Sequence, residues 1–141
     1  MQKLPSVLLV DDDSTTNYLN QLLLNGLGVT EQLFVAENGR EALAVLERTC
    51  AGPGTPACPV LILLDVNMPV MGGFAFLEAY QQLPLAQQRA IIIVMLTTSV
   101  HARELERIRE LPIVGLVSKP LTREKVAALL HLHFQRELPA G

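Results

Sequence analysis

The sequence predicts an α/β fold, a five-stranded parallel sheet with helices on both faces. Three observations lead there. Five short apolar runs recur along the chain, amphipathic segments of helical period lie between them, and polar residues close the runs. Apolar runs of about 4–8 residues without alternation are how strands buried on both faces read. Strand–helix alternation then calls for a parallel sheet with right-handed crossovers.

The first run, Val7 to Val10, stops at Asp11-Asp12-Asp13. Asp13 or Ser14 is placed to cap the helix that follows, in which Leu19, Leu22, Leu23 and Gly26 repeat at helical spacing. Gly26 and Gly28 close that helix. Leu33 to Ala36 is a weaker second strand, and Asn38 caps a helix turning Ala42, Leu43 and Leu46 inward. The stretch TCAGPGTPACP, 49–59, holds three prolines and two glycines and reads as a lengthened loop. Because it precedes a strand, it belongs at the sheet end opposite the acidic residues. Val60 to Leu64 is the third strand, ending at Asp65, and Gly73 to Tyr80 is a helix with Phe74, Leu77 and Tyr80 on one side.

Ile91 to Leu96 is the fourth strand, ending at Thr97-Thr98. His101 to Glu110 is a charged helix with Leu105 and Ile108 as a narrow apolar seam. Its alternating arginines and glutamates suit a solvated, self-paired face before a partner surface. Ile113 to Val117 is the fifth strand, ending at Ser118-Lys119-Pro120. Thr122 caps a last helix whose Val126, Leu129, Leu130 and His133 share a face. The rhythm predicts one domain over residues 1–141, with its core at about 5–135 and the extended loop at 49–59.

Composition narrows the function. Half of the 141 residues are hydrophobic, too many for a disordered chain. Eleven basic residues against fourteen acidic ones leave no footprint for gripping a phosphate backbone, so direct nucleic-acid binding is not expected. No apolar run approaches the roughly 18 residues of a membrane span, and the first run breaks too early for a signal peptide. A cytoplasmic protein without a membrane partner is the expectation. Cys50 and Cys58 are then expected as two reduced, inert thiols, with a pair closing the Gly/Pro-rich loop as the alternative.

Ligands bind outside the carboxyl ends of the strands in an open parallel sheet. Asp11, Asp12, Asp65, Thr97 and Lys119 all fall there, so five polar groups should meet in one crevice. Each alone is ordinary turn chemistry. Together, three carboxylates repel unless a cation offsets them. Few carboxylates with several waters suit Mg²⁺, which completes its shell with phosphate oxygens. A hydroxyl and an ammonium opposite would serve a phosphoryl group, and a carboxylate can itself be the nucleophile.

These stretches resemble the response-regulator receiver family: LLVDDDSTTNYL (8–19), LLDVNMPVMGGFAFL (63–77), VMLTTS (94–99) and SKPLT (118–122). Their order and spacing match from about Val7 to Phe134. The resemblance implies a flavodoxin-like (βα)5 receiver fold and a two-component signalling switch rather than an enzyme with a separate substrate. It implies Asp65 as phosphoacceptor, Thr97 as switch hydroxyl and Lys119 as partner of the phosphoryl oxygens, with a cis Lys119–Pro120 bond. Mg²⁺ would be held by Asp12 directly, Asp11 largely through water, Asp65, and the backbone carbonyl of Asn67. Asn67 and Ser99 would tune the lifetime of the phosphorylated state.

A sensor histidine kinase or phosphotransfer protein would supply the phosphate. Only seven residues follow Phe134, so output is expected through a downstream protein partner, with pairing of two copies left open. Three positions depart from the family pattern: Leu116 replaces the switch aromatic, Gly72 stands where many members carry Asp or Asn, and Pro112 stands in a turn that is usually small or Gly-rich. Leu116 favours an alternative, a phosphate-independent protein-binding module on a retained receiver fold. The intact polar set opposes that alternative. A metal-dependent phosphatase fits poorly, because Asn67 leaves no general acid two residues after Asp65.

Overall fold

The computed structural model describes residues 3–50, 58–66, 68, 71–83, 91–97, 113, 115–136 and 138. The chain runs β1 (Leu4–Val10), α1 (Ser14–Leu27), β2 (Thr30–Ala36), α2 (Gly39–Thr49), β3 (Leu61–Asp65), α3 (Gly73–Gln81), β4 (Ile92–Thr97), β5 (Gly115–Ser118) and α4 (Arg123–Phe134). The strands form one parallel sheet in the order β2-β1-β3-β4-β5. The strand order reverses at β1 and β3, which places a crevice at their carboxyl ends. The segment His101 to Glu110 and Pro112 lie outside the described residues.

Alternate strand residues feed two cores. Leu8, Val10, Ile62, Leu64, Ile93 and Met95 pack with Ala42, Leu46, Phe76 and Leu77 of α2 and α3. Val7, Leu9, Leu63, Val94 and Leu96 pack on the other face with Leu24 of α1 and Val126, Leu129 and Leu130 of α4. This is why the strands read as unbroken apolar runs: both of their faces are covered.

The caps follow the sequence closely. Asp13 caps α1 by accepting from Thr15 N at 3.0 Å, and Asn38 caps α2 by accepting from Glu41 N at 2.9 Å. Glu41 returns the favour by accepting from Glu37 N at 3.1 Å. Thr122 caps α4 through Lys125 N. Gly28 ends α1 at φ 68°, a left-handed conformation that glycine adopts without steric cost.

Four expectations are corrected. The inward stripe of α1 is Asn17, Asn20 and Leu24, while Leu19 and Leu22 are 56% and 53% exposed beside Tyr18. Tertiary demand overrides the apolar repeat here, because the end of β1 presents a carbonyl that needs the amide of Asn17. On α3, Phe76 is fully buried and Phe74 only partly. Strand limits also shift: β1 and β2 begin earlier, β3 takes in Asp65, β4 takes in Thr97, and β5 runs from Gly115 to Ser118. Hydrogen-bond pairing with a neighbour sets those limits, and a polar residue does not end it.

The fourth correction concerns the cysteines. Cys50 and Cys58 are joined in a disulfide, with a Cα–Cα distance of 4.7 Å. Cys50 ends α2 and Cys58 leads into β3, and both are buried in the core that α2 and β3 share. Packing of those two elements brings the side chains within bonding reach.

Candidate functional site

Parallel pairing carries every strand to the same end, and the predicted polar residues meet there. Asp11 directly follows β1 and is 3% exposed. All four of its polar positions are engaged. Its N–H donates to Ala36 O at 3.0 Å. Its carbonyl accepts from Asn17 Nδ2 at 2.7 Å, Oδ1 accepts from Asp13 N at 2.9 Å, and Oδ2 accepts from Lys119 Nζ at 2.7 Å.

Asp65 ends β3, with Oδ1 3.2 Å from Lys119 Nζ. The loop behind it is tight. A Cβ on Gly73 would come within 2.6 Å of the Asp65 carbonyl and 3.1 Å of Val66 Cα, so only glycine fits. One residue from the loop also grips α2, where Gly39 N donates to Met71 O at 2.8 Å. Thr97 ends β4, is buried, and accepts at its carbonyl from Lys119 N at 2.8 Å. The turn after β5 is held by Lys125, whose ammonium donates to Ser118 O at 2.7 Å and Pro120 O at 2.9 Å. The Lys119–Pro120 peptide is cis, as the resemblance implied.

Electrostatics explain the layout. Burial first, then the Asp11 charge, push the Asp65 carboxyl above its ordinary value, with Lys119 opposing. Burial would lower the Lys119 ammonium, but its bond to Asp11 and the charges of Asp11 and Asp65 outweigh this and raise it. Asp13 points away from this balance. The Thr16 hydroxyl and Thr15 N hold its carboxyl below the ordinary range, which marks it as a cap.

Asp11, Asp12 and Asp65 each offer a carboxylate oxygen, and these lie within 4.8 Å of one another. Three hard oxygen donors, with Asp12 exposed on the open side, fit an oxygen-seeking divalent cation better than a thiolate- or imidazole-seeking one. Asn67 and Ser99 lie outside the described residues.

Beside this cluster, a cavity of about 250 Å³ lies between α1 and the turn after β5, lined by Thr16, Leu19, Asn20, Leu23, Leu96, Lys119, Pro120 and Leu121. Asn17 is the residue that sequence reasoning missed. A polar residue at an inward helical position was its one signal, and the leucines around it masked that signal.

A sequence model of the response regulator receiver domain matches residues 7–131. Two-component response regulator 24 of Arabidopsis thaliana is 30% identical over 89% of this chain and 81% of its own length. The autoinducer 1 sensor kinase/phosphatase LuxN of Vibrio harveyi is 38% identical over 84% of this chain, which spans only 12% of that protein. Among solved structures, a two-component response regulator from Cytophaga hutchinsonii superposes with a TM-score of 0.82 at 26% identity, covering 96% of this chain and all of that one. No helix among the described residues is long and apolar enough to cross a membrane.

Proposed function

Because this chain belongs to the response regulator receiver domain family, we propose that it is a phosphorylation-dependent switch whose phosphoacceptor is Asp65. The observation that carries this reading is the junction of Asp65 with Lys119 at 3.2 Å, inside a three-carboxylate cluster. Asp65 attacks the phosphorus of a phosphohistidine on a sensor histidine kinase or phosphotransfer protein. The carboxylate O–P bond forms as the P–N bond breaks, and the imidazole leaves. Asp11, Asp12, Asp65 and the carbonyl of Asn67 would hold Mg²⁺, which supplies charge neutralisation for the transferring group. Lys119 adds a fixed positive charge on the opposite side, and the Thr97 hydroxyl takes a phosphoryl oxygen after transfer.

The added charge, about −2 by analogy with other protein phosphates, competes with Asp11 for Lys119 and so reshapes the β4 and β5 ends. A downstream protein reads that change. Tyr18, Leu19 and Leu22 of α1 are exposed, Leu19 lines the cavity beside Lys119, and this surface suits the docking of the protein phosphodonor. We place one receiver domain over the chain, with no separate substrate, in the cytoplasm.

Leu116 supports the second reading, a phosphate-independent binding module, because it packs partly buried against the core with no hydroxyl to engage a partner. Intact mass after incubation with Mg²⁺ and acetyl phosphate separates the two. One phosphoryl group on the wild type and none on Asp65→Asn is the expected result. No adduct on the folded wild type would favour the module.

A further inference from the structure

The helix α1 spends an inward position on an amide. Asn17 is 3% exposed, on the same stripe as Leu24, and its Nδ2 donates to the Asp11 carbonyl at 2.7 Å. Its Oδ1 is buried with no hydrogen-bond partner. A buried amide oxygen left without a donor is unfavourable, so the side chain is poorly explained by its own packing. What it accomplishes is on Asp11. The other three polar positions of Asp11 are tied to β2, to the turn and to Lys119. Asn17 closes the set and clamps the β1–α1 turn onto the helix. That turn carries Asp11 and Asp12, two of the three clustered carboxylates.

We propose that Asn17 is a positioning residue of the acidic site, holding the Asp11–Asp12 turn at the geometry that a divalent cation requires. The inference rests on the reading of this cluster as the Mg²⁺ site of a phosphoacceptor. Groups that orient metal ligands from behind commonly change metal affinity by about 10-fold or more when removed. Asn17 acts through Asp11 and touches neither cation nor phosphate.

The test is calorimetric Mg²⁺ titration of the full chain as wild type, Asn17→Leu, Asn17→Ser and Asn17→Gln. Urea midpoints and the Mg²⁺ dependence of acetyl phosphate labelling accompany it. Asn17→Leu should bind Mg²⁺ about 10-fold more weakly, with labelling recovered at saturating Mg²⁺. Asn17→Gln, which keeps the amide, should regain affinity. If the leucine variant fails to fold, Asn17→Ser carries the comparison. Lower urea midpoints with unchanged Mg²⁺ affinity would overturn the inference and leave Asn17 a packing residue. No Mg²⁺ binding by the wild type would overturn the switch reading itself.

Discussion

Lys119 donates its ammonium to Asp11 at 2.7 Å and reaches Asp65 only at 3.2 Å. The lysine is therefore engaged mainly with Asp11 and only secondarily with Asp65, and it holds two carboxylates together that would otherwise repel. The Lys119 side chain is 18% exposed and that of Asp11 4%, so solvent replaces little of the pair.

Removing the ammonium leaves both acids uncompensated. Lys119→Met should lower metal-free stability by about 2 kcal/mol, less than the roughly 3–5 kcal/mol of a fully buried pair. The sign with pH follows from the raised lysine. Its contribution is complete below the ordinary value of 10.5 and is lost as pH rises through the folded value. Urea unfolding of both proteins at about pH 7 and above pH 11 should show the gap narrowing. A constant gap would sink the assignment.

Asp65 behaves in the opposite sense from an ordinary paired acid. Burial and the Asp11 charge raise its folded value above 3.8, so stability is fullest below that pH. It falls as pH rises from there to the folded value, a range in which the unfolded chain is ionised and folded Asp65 still holds its proton. Metal-free Asp65→Asn is expected to be more stable than wild type near pH 7, and the difference should vanish as the pH falls toward about 4. Mg²⁺ at about ten times its Kd should add about 1.4 kcal/mol to wild type and less to the variant. A wild type more stable than Asp65→Asn in chelator contradicts this.

The apolar face of α1 separates protein donors from small ones. Replacing both Leu19 and Leu22 by aspartate should slow transfer from a phosphohistidine protein by about 10-fold or more, as losing a central anchor does. Labelling by acetyl phosphate should stay at the wild-type rate, and stability should move by no more than about 0.5 kcal/mol. Equal slowing with both donors would place the effect at the crevice instead.

Reduction of Cys50–Cys58 releases a loop closed over a separation of eight residues. Loop entropy alone sets its contribution at about 2.5 kcal/mol. Unfolding free energies from urea titration of wild type with and without dithiothreitol, and of the double variant Cys50→Ser/Cys58→Ser, should fall together by that amount. Acetyl phosphate labelling should persist, because the disulfide sits at the other end of β3 from Asp65. A midpoint indifferent to reductant would show that the bond does not form.

Much of this was legible in the chain itself. Five apolar runs announced five strands because a sheet covered on both faces needs apolar residues at every position. Asp11, Asp12, Asp65, Thr97 and Lys119 were legible as one site because a parallel sheet delivers all strand ends to one edge. Asn38 and Thr122 declared their helices through local hydrogen bonds that need no distant partner. The inward face of α1 was not legible. Its five leucines spread over more than one side of the helix, and nothing local marks which of them meets the sheet.

Local chemistry thus determined element type, the caps and the chain order of the polar residues, since each depends on neighbours a few positions away. Tertiary packing decided what long-range distance controls. It turned Asn17 rather than Leu19 onto the end of β1, gave Lys119 to Asp11 ahead of Asp65, and closed Cys50 on Cys58. Each of those outcomes depends on where a second element stops in space, and one-dimensional spacing carries no record of it.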